Sequence, residues 1–548
     1  MQQGFIRSGE YGKDSVLILD ASSADGGHHH YDSLNIVYTK YNREILVDLG
    51  YLTDHPNLSF VQATVAHQTV LIDANNQIGS GRGGEFHLFD TSINDTKIMQ
   101  ASSHPYSGIE TYHRTLIQID HENKNNYVVD IFRSTGGKKR RELVFHGPNN
   151  EYTLNKPLDF KDNYEIVPAP ALIEFRAREP MMFELADISL CDTTEDGIRG
   201  NEILRDIEEE SGADGTCDAT KYFCYTNLKG SPTYSIVDGP EKGKKAIRYE
   251  DTKGNSDFLI GHGANYLPLK ENKRYLLQFQ ARGTGFPAKV RMKYNGKEIE
   301  FKKTSLNSIS ADKWTLFTGY FDVEQPFSEA LGAQTSDMFS AHWTVTDVNF
   351  SLFVPPQNNQ KIFFKNGWGQ RYTDNRDFGT TLPYFYFYRN VSEPLSTWVT
   401  ILEASKDGNS VVQGVESIDD GKGNVAIKIK TVDGDDYVAC NFENGNVINQ
   451  YGIKTDAKIA VINNGKPRVF DGTSFEFNDK KITNDLTHFS GNIISSGNSE
   501  QYDQAWYDID GDFDNTKVVP GQVLFVKGDD GVNRGYPIIS IQKNVNQG

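Results

Sequence analysis

The chain has 548 residues, of which 56 are basic and 74 acidic, for a net charge of −18. At roughly 150 residues per domain this length predicts three or four domains, and the acidic balance argues against a nucleic-acid binder, which carries a basic face. The 27 Tyr, 32 Phe and 5 Trp demand burial, which excludes a disordered chain, and no run reaches the ~18 apolar residues of a membrane span.

Residues 1–185 read as strand after strand. SVLILD, SLNIVYT, EILVDLG, QTVLID, TLIQID, YVVDIF and ELVFHG are apolar runs of strand length separated by Gly, Asn and Asp. Their spacing predicts antiparallel sheets packed face to face. Residues 186–215, acidic and Gly-punctuated, read as a linker. Residues 216–356 read as a second β unit: YLLQFQAR, VRMKYN and VNFSLFV alternate, so one face of each is buried and one is wet. Pro355 and Pro356 end it. The first character returns over 357–404, with KIFFKNGWGQ, YFYFYRN and TWVTILEAS, and 405–548 reads as a smaller C-terminal β domain.

Chemistry concentrates near the start. Gly26-Gly27-His28-His29-His30-Tyr31-Asp32-Ser33-Leu34 is read as leading into a strand, which places His28 and His30 on one face and His29 on the other. Asp48 lies in the apolar run Ile45-Leu46-Val47-Asp48-Leu49, where a carboxylate is costly to bury unless paired or metal-bound. His67 opens the run Gln68-Thr69-Val70-Leu71-Ile72. Two imidazoles and a carboxylate, with a fourth position for water or substrate, suit zinc. The residues alone leave a second reading open, that of solvated histidines in a Gly-rich loop.

Other features carry paired readings. Lys138-Lys139-Arg140-Arg141 is either a polyanion contact or a solvated hairpin tip, the latter favoured. Asp508, Asp510, Asp512 and Asp514 alternate as calcium ligands would, but no Glu follows at EF-hand spacing, which favours an acidic turn. Arg7, near the first strand, reads either as lining a cleft or, by default, as a surface residue. Cys217 and Cys224 could close a small loop with Cys191 as competing partner, and Cys440 reads as free and buried. MQQGFIRSGEYGKDSVLILD holds no secretion signal; it reads as a strand, as if a segment upstream had been removed.

The run from Gly27 to Gln77 resembles the C-terminal β-sandwich of the heparinase II/III-like polysaccharide lyases. That family shows G-H-x-H-x-D-x-L, then an apolar strand ending D-P-G-Y, then H-N-T-V-x-V-D with a Gln shortly after. Here stand Gly27, His28, His30, Asp32, Leu34; then Asp48, Gly50, Tyr51; then His67, Thr69, Val70, Asp73 and Gln77. Leu49 and Gln68 replace the usual Pro and Asn. The likeness continues through Tyr112, Arg114, Asp130, Arg133 and His146 and resumes after 357.

The resemblance implies an all-β protein: a large antiparallel β-sandwich with an inserted jelly-roll-like β-sandwich at 216–356 and a small C-terminal β domain. It implies a lyase that cleaves an acidic polysaccharide, alginate-like or glycosaminoglycan-like, by β-elimination outside the cell or in the periplasm. His28 takes the catalytic role, and His30, Asp48 and His67 take that of zinc ligands bracing the sandwich. An upstream α/α toroid, as domain or separate chain, supplies the catalytic Tyr and a carboxylate-neutralising Asn or His. The inserted unit resembles a carbohydrate-binding module in which Trp343 or Tyr266 could stack on sugar, whereas Trp314 reads as core. The alternative is a non-catalytic carbohydrate-binding or scaffold protein. Neither reading involves nucleic acid or a membrane span.

Overall fold

The protein is described here from a computed structural model. It covers residues 2–542 apart from 11–13, 23–28, 53–57, 79–82, 122–124, 156–170, 177–178, 194–198, 206–222, 227–232, 255–256, 261–268, 270–272, 285–289, 295–296, 300, 305–309, 324–332, 335–336, 358, 373–376, 378–379, 443–445, 479, 484–489, 500–503, 511–517 and 530–532. The chain is all-β, and every strand pairing among the described residues is antiparallel. Among them no helix is long and apolar enough to cross a membrane.

Three sheets surround the main core. A four-stranded meander runs Gln3–Ser8, Ser15–Asp20, Asn35–Lys40, Arg43–Leu46. The eight-stranded sheet has Asn126–Ser134 at its centre, between Tyr112–Asp120 and Ser396–Ser405. A five-stranded sheet carries Arg140–His146 between Thr381–Asn390 and Val70–Ile72. Leu19, Tyr38, Phe132, Phe145, Phe385 and Trp398 meet in one apolar cluster drawn from all three. Truncating a buried Phe such as Phe132 costs about 3–5 kcal/mol.

Why YVVDIF is a continuous apolar run is now plain. All nine residues of Asn126–Ser134 are buried, because a second sheet covers the other face of the eight-stranded one. That cover is the C-terminal five-stranded sheet, Val412–Asp419 to Lys466–Phe470, whose Val415, Ile427 and Val438 pack on Ile117, Val129 and Ile401.

A polar latch accompanies this contact. His121 Nε2 donates to Asp436 Oδ2 at 2.6 Å, and Nδ1 lies 3.4 Å from Asp433. Tyr127 also donates to Asp436 Oδ2, at 2.7 Å. Burial alone would lower the His121 pKa, but the bond to Asp436 and its charge, with Asp433 behind, hold it above the ordinary value. A raised histidine stabilises the fold fully below the unfolded value of about 6.5 and loses that contribution as pH rises through the folded value. The melting-temperature gap between wild type and His121→Gln is therefore expected to be largest near pH 6 and to shrink towards pH 9. A gap independent of pH would show that the latch carries no charge.

The predicted boundaries need correction. Within the predicted linker 186–215 the described residues are strand: Met181–Thr193 is an inner strand of a seven-stranded sheet and Arg199–Arg205 pairs with it. The first sandwich does not run to 185, since Ala171–Arg176 pairs within the inserted unit. Nor does the insert reach 356. Phe339–Val345 and Val348–Val354 belong to the eight-stranded sheet, and Ala333–Gln334 to the five-stranded one. Alternation shows that one face is buried, but not which sheet buries it. Trp343 consequently lies in the main core, 3% exposed and stacked on Phe350, and cannot receive a sugar. Tyr266 and Cys217 lie outside the described residues. Cys191 and Cys440 are free and buried.

The basic run at 138–141 is no hairpin tip either. It joins strands of two different sheets, Asn126–Ser134 and Arg140–His146. Asp73 accepts the backbone N–H groups of Lys138, Lys139 and Arg140, and Arg141 is buried, donating to Gly136, Glu393 and Ser396. Arg7 is a surface residue paired with Asp14 at 3.4 Å. Asp512 and Asp514 lie outside the described residues.

Candidate metal centre

Four side chains from three segments converge. His30 and Asp32 lie in the loop before Asn35–Lys40, not in a strand as the HHH alternation predicts. Asp48 follows Arg43–Leu46, and His67 follows the short 3-10 turn Thr64–Ala66. One donor atom of each residue lies within 4.8 Å of the others, a set that could hold a metal ion. His67 Nε2 is 3.0 Å from Asp48 Oδ2, 3.1 Å from His30 Nδ1 and 4.0 Å from Asp32 Oδ2. His30 Nδ1 is 3.5 Å from Asp48 Oδ2.

These separations suit a tetrahedral ion, whose ligands at about 2.1 Å stand roughly 3.4 Å apart. The chemistry of the donors fits as well. His67 Nδ1 donates to the Ala63 carbonyl at 2.9 Å, which leaves the Nε2 lone pair for a metal. Asp48 Oδ1 accepts the Gly50 N–H at 2.7 Å, fixing the carboxylate, and Tyr51 stacks on His30. Charge pairing between His67 and Asp48 offsets their burial. Burial opposes charge on His67, yet Asp48 outweighs it and drives its pKa up to about 9. Burial pushes Asp32 up to about 6, against the pull of His67. Burial also disfavours the charged form of Asp48, but His67 and His30 hold it well below the usual carboxylate range.

Buried polar groups deliver the ligand segments. Arg114, fully buried, is bidentate to Asp130 at 2.8 and 2.6 Å. Its Nη1 donates to the Leu34 carbonyl at 2.7 Å and to the Gln68 carbonyl, so one guanidinium ties the loop after Asp32 to the residue after His67. Gln77 accepts the Ser33 N–H at 2.7 Å and donates to the Ser33 carbonyl and the Tyr112 hydroxyl. Gln68 donates to the Val47 carbonyl and to His146 Nε2. Burial lowers His146 to about 4, so it remains a neutral acceptor.

Three of the predicted residues, His30, Asp48 and His67, are brought together; His29 is exposed, and His28 lies outside the described residues. Asp32 was missed as a fourth possible donor. Its i+2 relation to His30 within the G-H-x-H-x-D motif is the signal that could have found it.

Residues 2–249 match the family described as Heparinase II/III-like, C-terminal. No curated protein matches the chain. Among solved structures, heparan sulfate lyase HepC from Pedobacter heparinus is 10% identical, with 81% of this chain and 41% of that one covered and a TM-score of 0.39. A mutant of the same lyase has a TM-score of 0.40 at 10% identity, with 81% of this chain and 42% of that one covered. The heparinase III BT4657 gene product is 12% identical over 53% of this chain and 41% of that one, with a TM-score of 0.25. The chain spans about two fifths of the length of these structures.

Proposed function

We propose that this chain is the β-sandwich portion of a polysaccharide lyase that cleaves uronic-acid-containing polysaccharide by β-elimination, with a structural zinc. The observation that carries the reading is the convergence of His30, Asp32, Asp48 and His67 within the segment that matches the family. Four protein donors make a closed site, as structural zinc prefers, whereas catalytic zinc keeps a position open. The zinc would thus brace the ligand loop and leave the elimination to side chains above it.

Elimination removes the C5 proton to a base and breaks the C4–O4 bond. A C4–C5 double bond forms and the departing O4 is protonated. Neutralising the adjacent carboxylate stabilises the developing anion. His28, two residues before His30 in the sequence, would supply one acid–base group. An upstream α/α toroid would supply the rest. The polymer substrate implies a secreted or periplasmic protein.

The test is the ultraviolet absorbance of the unsaturated uronate end. The chain alone should be nearly inactive, and joined to its toroid it should turn over. In that full protein His28→Ala should cut the rate roughly 10²–10⁴-fold with zinc retained. Sugar release without the chromophore would make the protein a hydrolase. Binding with no release would support a non-catalytic carbohydrate-binding or scaffold role instead.

A further inference from the structure

The seven-stranded sheet of the insert has two unlike faces. One carries Phe183, Leu185, Tyr249, Phe279 and Phe317, all 0–2% exposed. On the other, residues in register form a row across the strands: Ser235 opposite Arg248, Arg248 opposite Glu184, Glu184 opposite Arg282. Ala281 pairs with Thr315, so the row continues to Trp314. Neighbouring strands stand about 4.8 Å apart, which puts the two arginine positions roughly 9.6 Å apart with the tryptophan a strand further on.

Glu184 is the unusual member, its side chain only 3% exposed. One carboxylate oxygen accepts Arg248 Nε and Nη2 at 2.8 and 2.6 Å, and the other accepts Arg282 Nε. Two permanent positive charges thus share one negative charge, a local excess of +1 on a protein of net charge −18. The guanidiniums remain 43% and 32% exposed. The Trp314 ring lies 4.7 Å beneath Arg282. Leu316, two residues on, is 53% exposed on the same face. The flanking acid Asp187 is already held by Lys244 and Gln280, and Glu250 bounds the row on the Arg248 strand.

We infer that this row binds the anionic groups of an acidic polysaccharide, with Arg248 and Arg282 as the anion contacts and Trp314, whose ring lies beneath Arg282, as the residue that positions it. Charge complementarity selects the occupant. A planar guanidinium takes a carboxylate or sulfate through paired N–H donors. Glu184 orients both arginines beforehand, so less ordering is lost on binding. The Trp314 ring holds the Arg282 guanidinium by a cation–π contact. The inference goes beyond the lyase reading, since a binding face of this kind needs no elimination chemistry.

The experiment is affinity electrophoresis of the full chain in gels containing alginate (carboxylate alone), heparin (carboxylate and sulfate) or dextran (neutral). Retardation by alginate and heparin but not dextran is expected, weakening with salt. A gain with heparin over alginate would assign the main contact to sulfate, and equal retardation to carboxylate. The Arg248→Gln/Arg282→Gln variant and, separately, Trp314→Ala should each lose at least tenfold in affinity at unchanged fold by circular dichroism. Lys138→Ala/Lys139→Ala should bind as wild type. Absence of wild-type binding, unchanged binding in the row variants, or loss confined to the lysine variant would each overturn the inference. Binding without unsaturated product would uphold it while counting against the lyase reading.

Discussion

Chelating the proposed zinc, or replacing His67 by alanine, is expected to lower the melting temperature by roughly 6–12 °C. His67 is fully buried, and its Nε2 sits between Asp48, Asp32 and His30. Removing it leaves two carboxylates facing each other with less compensating charge, and breaking a buried ion pair in this way costs about 3–5 kcal/mol. Structural zinc adds its own binding free energy to folding. At about 2–4 °C per kcal/mol for a domain of ~200 residues, a loss near 3 kcal/mol gives that shift. His29→Ala, on the exposed neighbour, should leave the melting temperature within about 1–2 °C of wild type, a surface change of ~0.5 kcal/mol. Thermal melts with and without chelator check both. If chelator leaves the wild-type melt unmoved, metal does not couple to this fold.

Arg114→Ala should destabilise as strongly, by about 3–5 kcal/mol, because Asp130 would be left charged and buried. The more informative variant is Arg114→Met with Asp130→Leu. For an isolated buried pair such a swap is close to neutral. Here it should still cost about 1–3 kcal/mol, because the carbonyls of Leu34 and Gln68 lose their buried donor. Those carbonyls belong to two of the three ligand-bearing segments, so retention of the proposed zinc should fall too. Denaturant melts together with zinc titration distinguish the cases. A neutral double variant with full zinc would mean that Arg114 only balances charge and does not position the ligands.

Much of this site was legible because a carboxylate in an apolar run demands a reason, and Asp48 had one. Asp32 was not, because it lies in a loop where side-chain direction follows no fixed period. The three ligand segments could be ordered along the chain but not brought together from spacing, since Arg114, Gln77 and Gln68 join them across gaps of 21–80 residues. The strands of the main sandwich were equally plain from their apolar runs. The insert boundary was hidden by Met181–Thr193. There Asp187, at φ +50, sits where the pairing slips between Ala186 and Ser189, and Asp187 and Asp192, which looked like linker, belong to an irregular strand whose Phe183 and Leu190 are fully buried. Val348–Val354 alternates identically whether it ends an insert or resumes the main sheet, so only pairing with Ser396–Ser405 decides.

The most direct measurement is elemental analysis of the purified, folded chain beside its His30→Ala and His67→Ala variants. One equivalent of zinc per wild-type chain, and far less in both variants, is the predicted result. A folded wild-type chain holding no stoichiometric transition metal would contradict the metal-braced sandwich on which the functional reading rests.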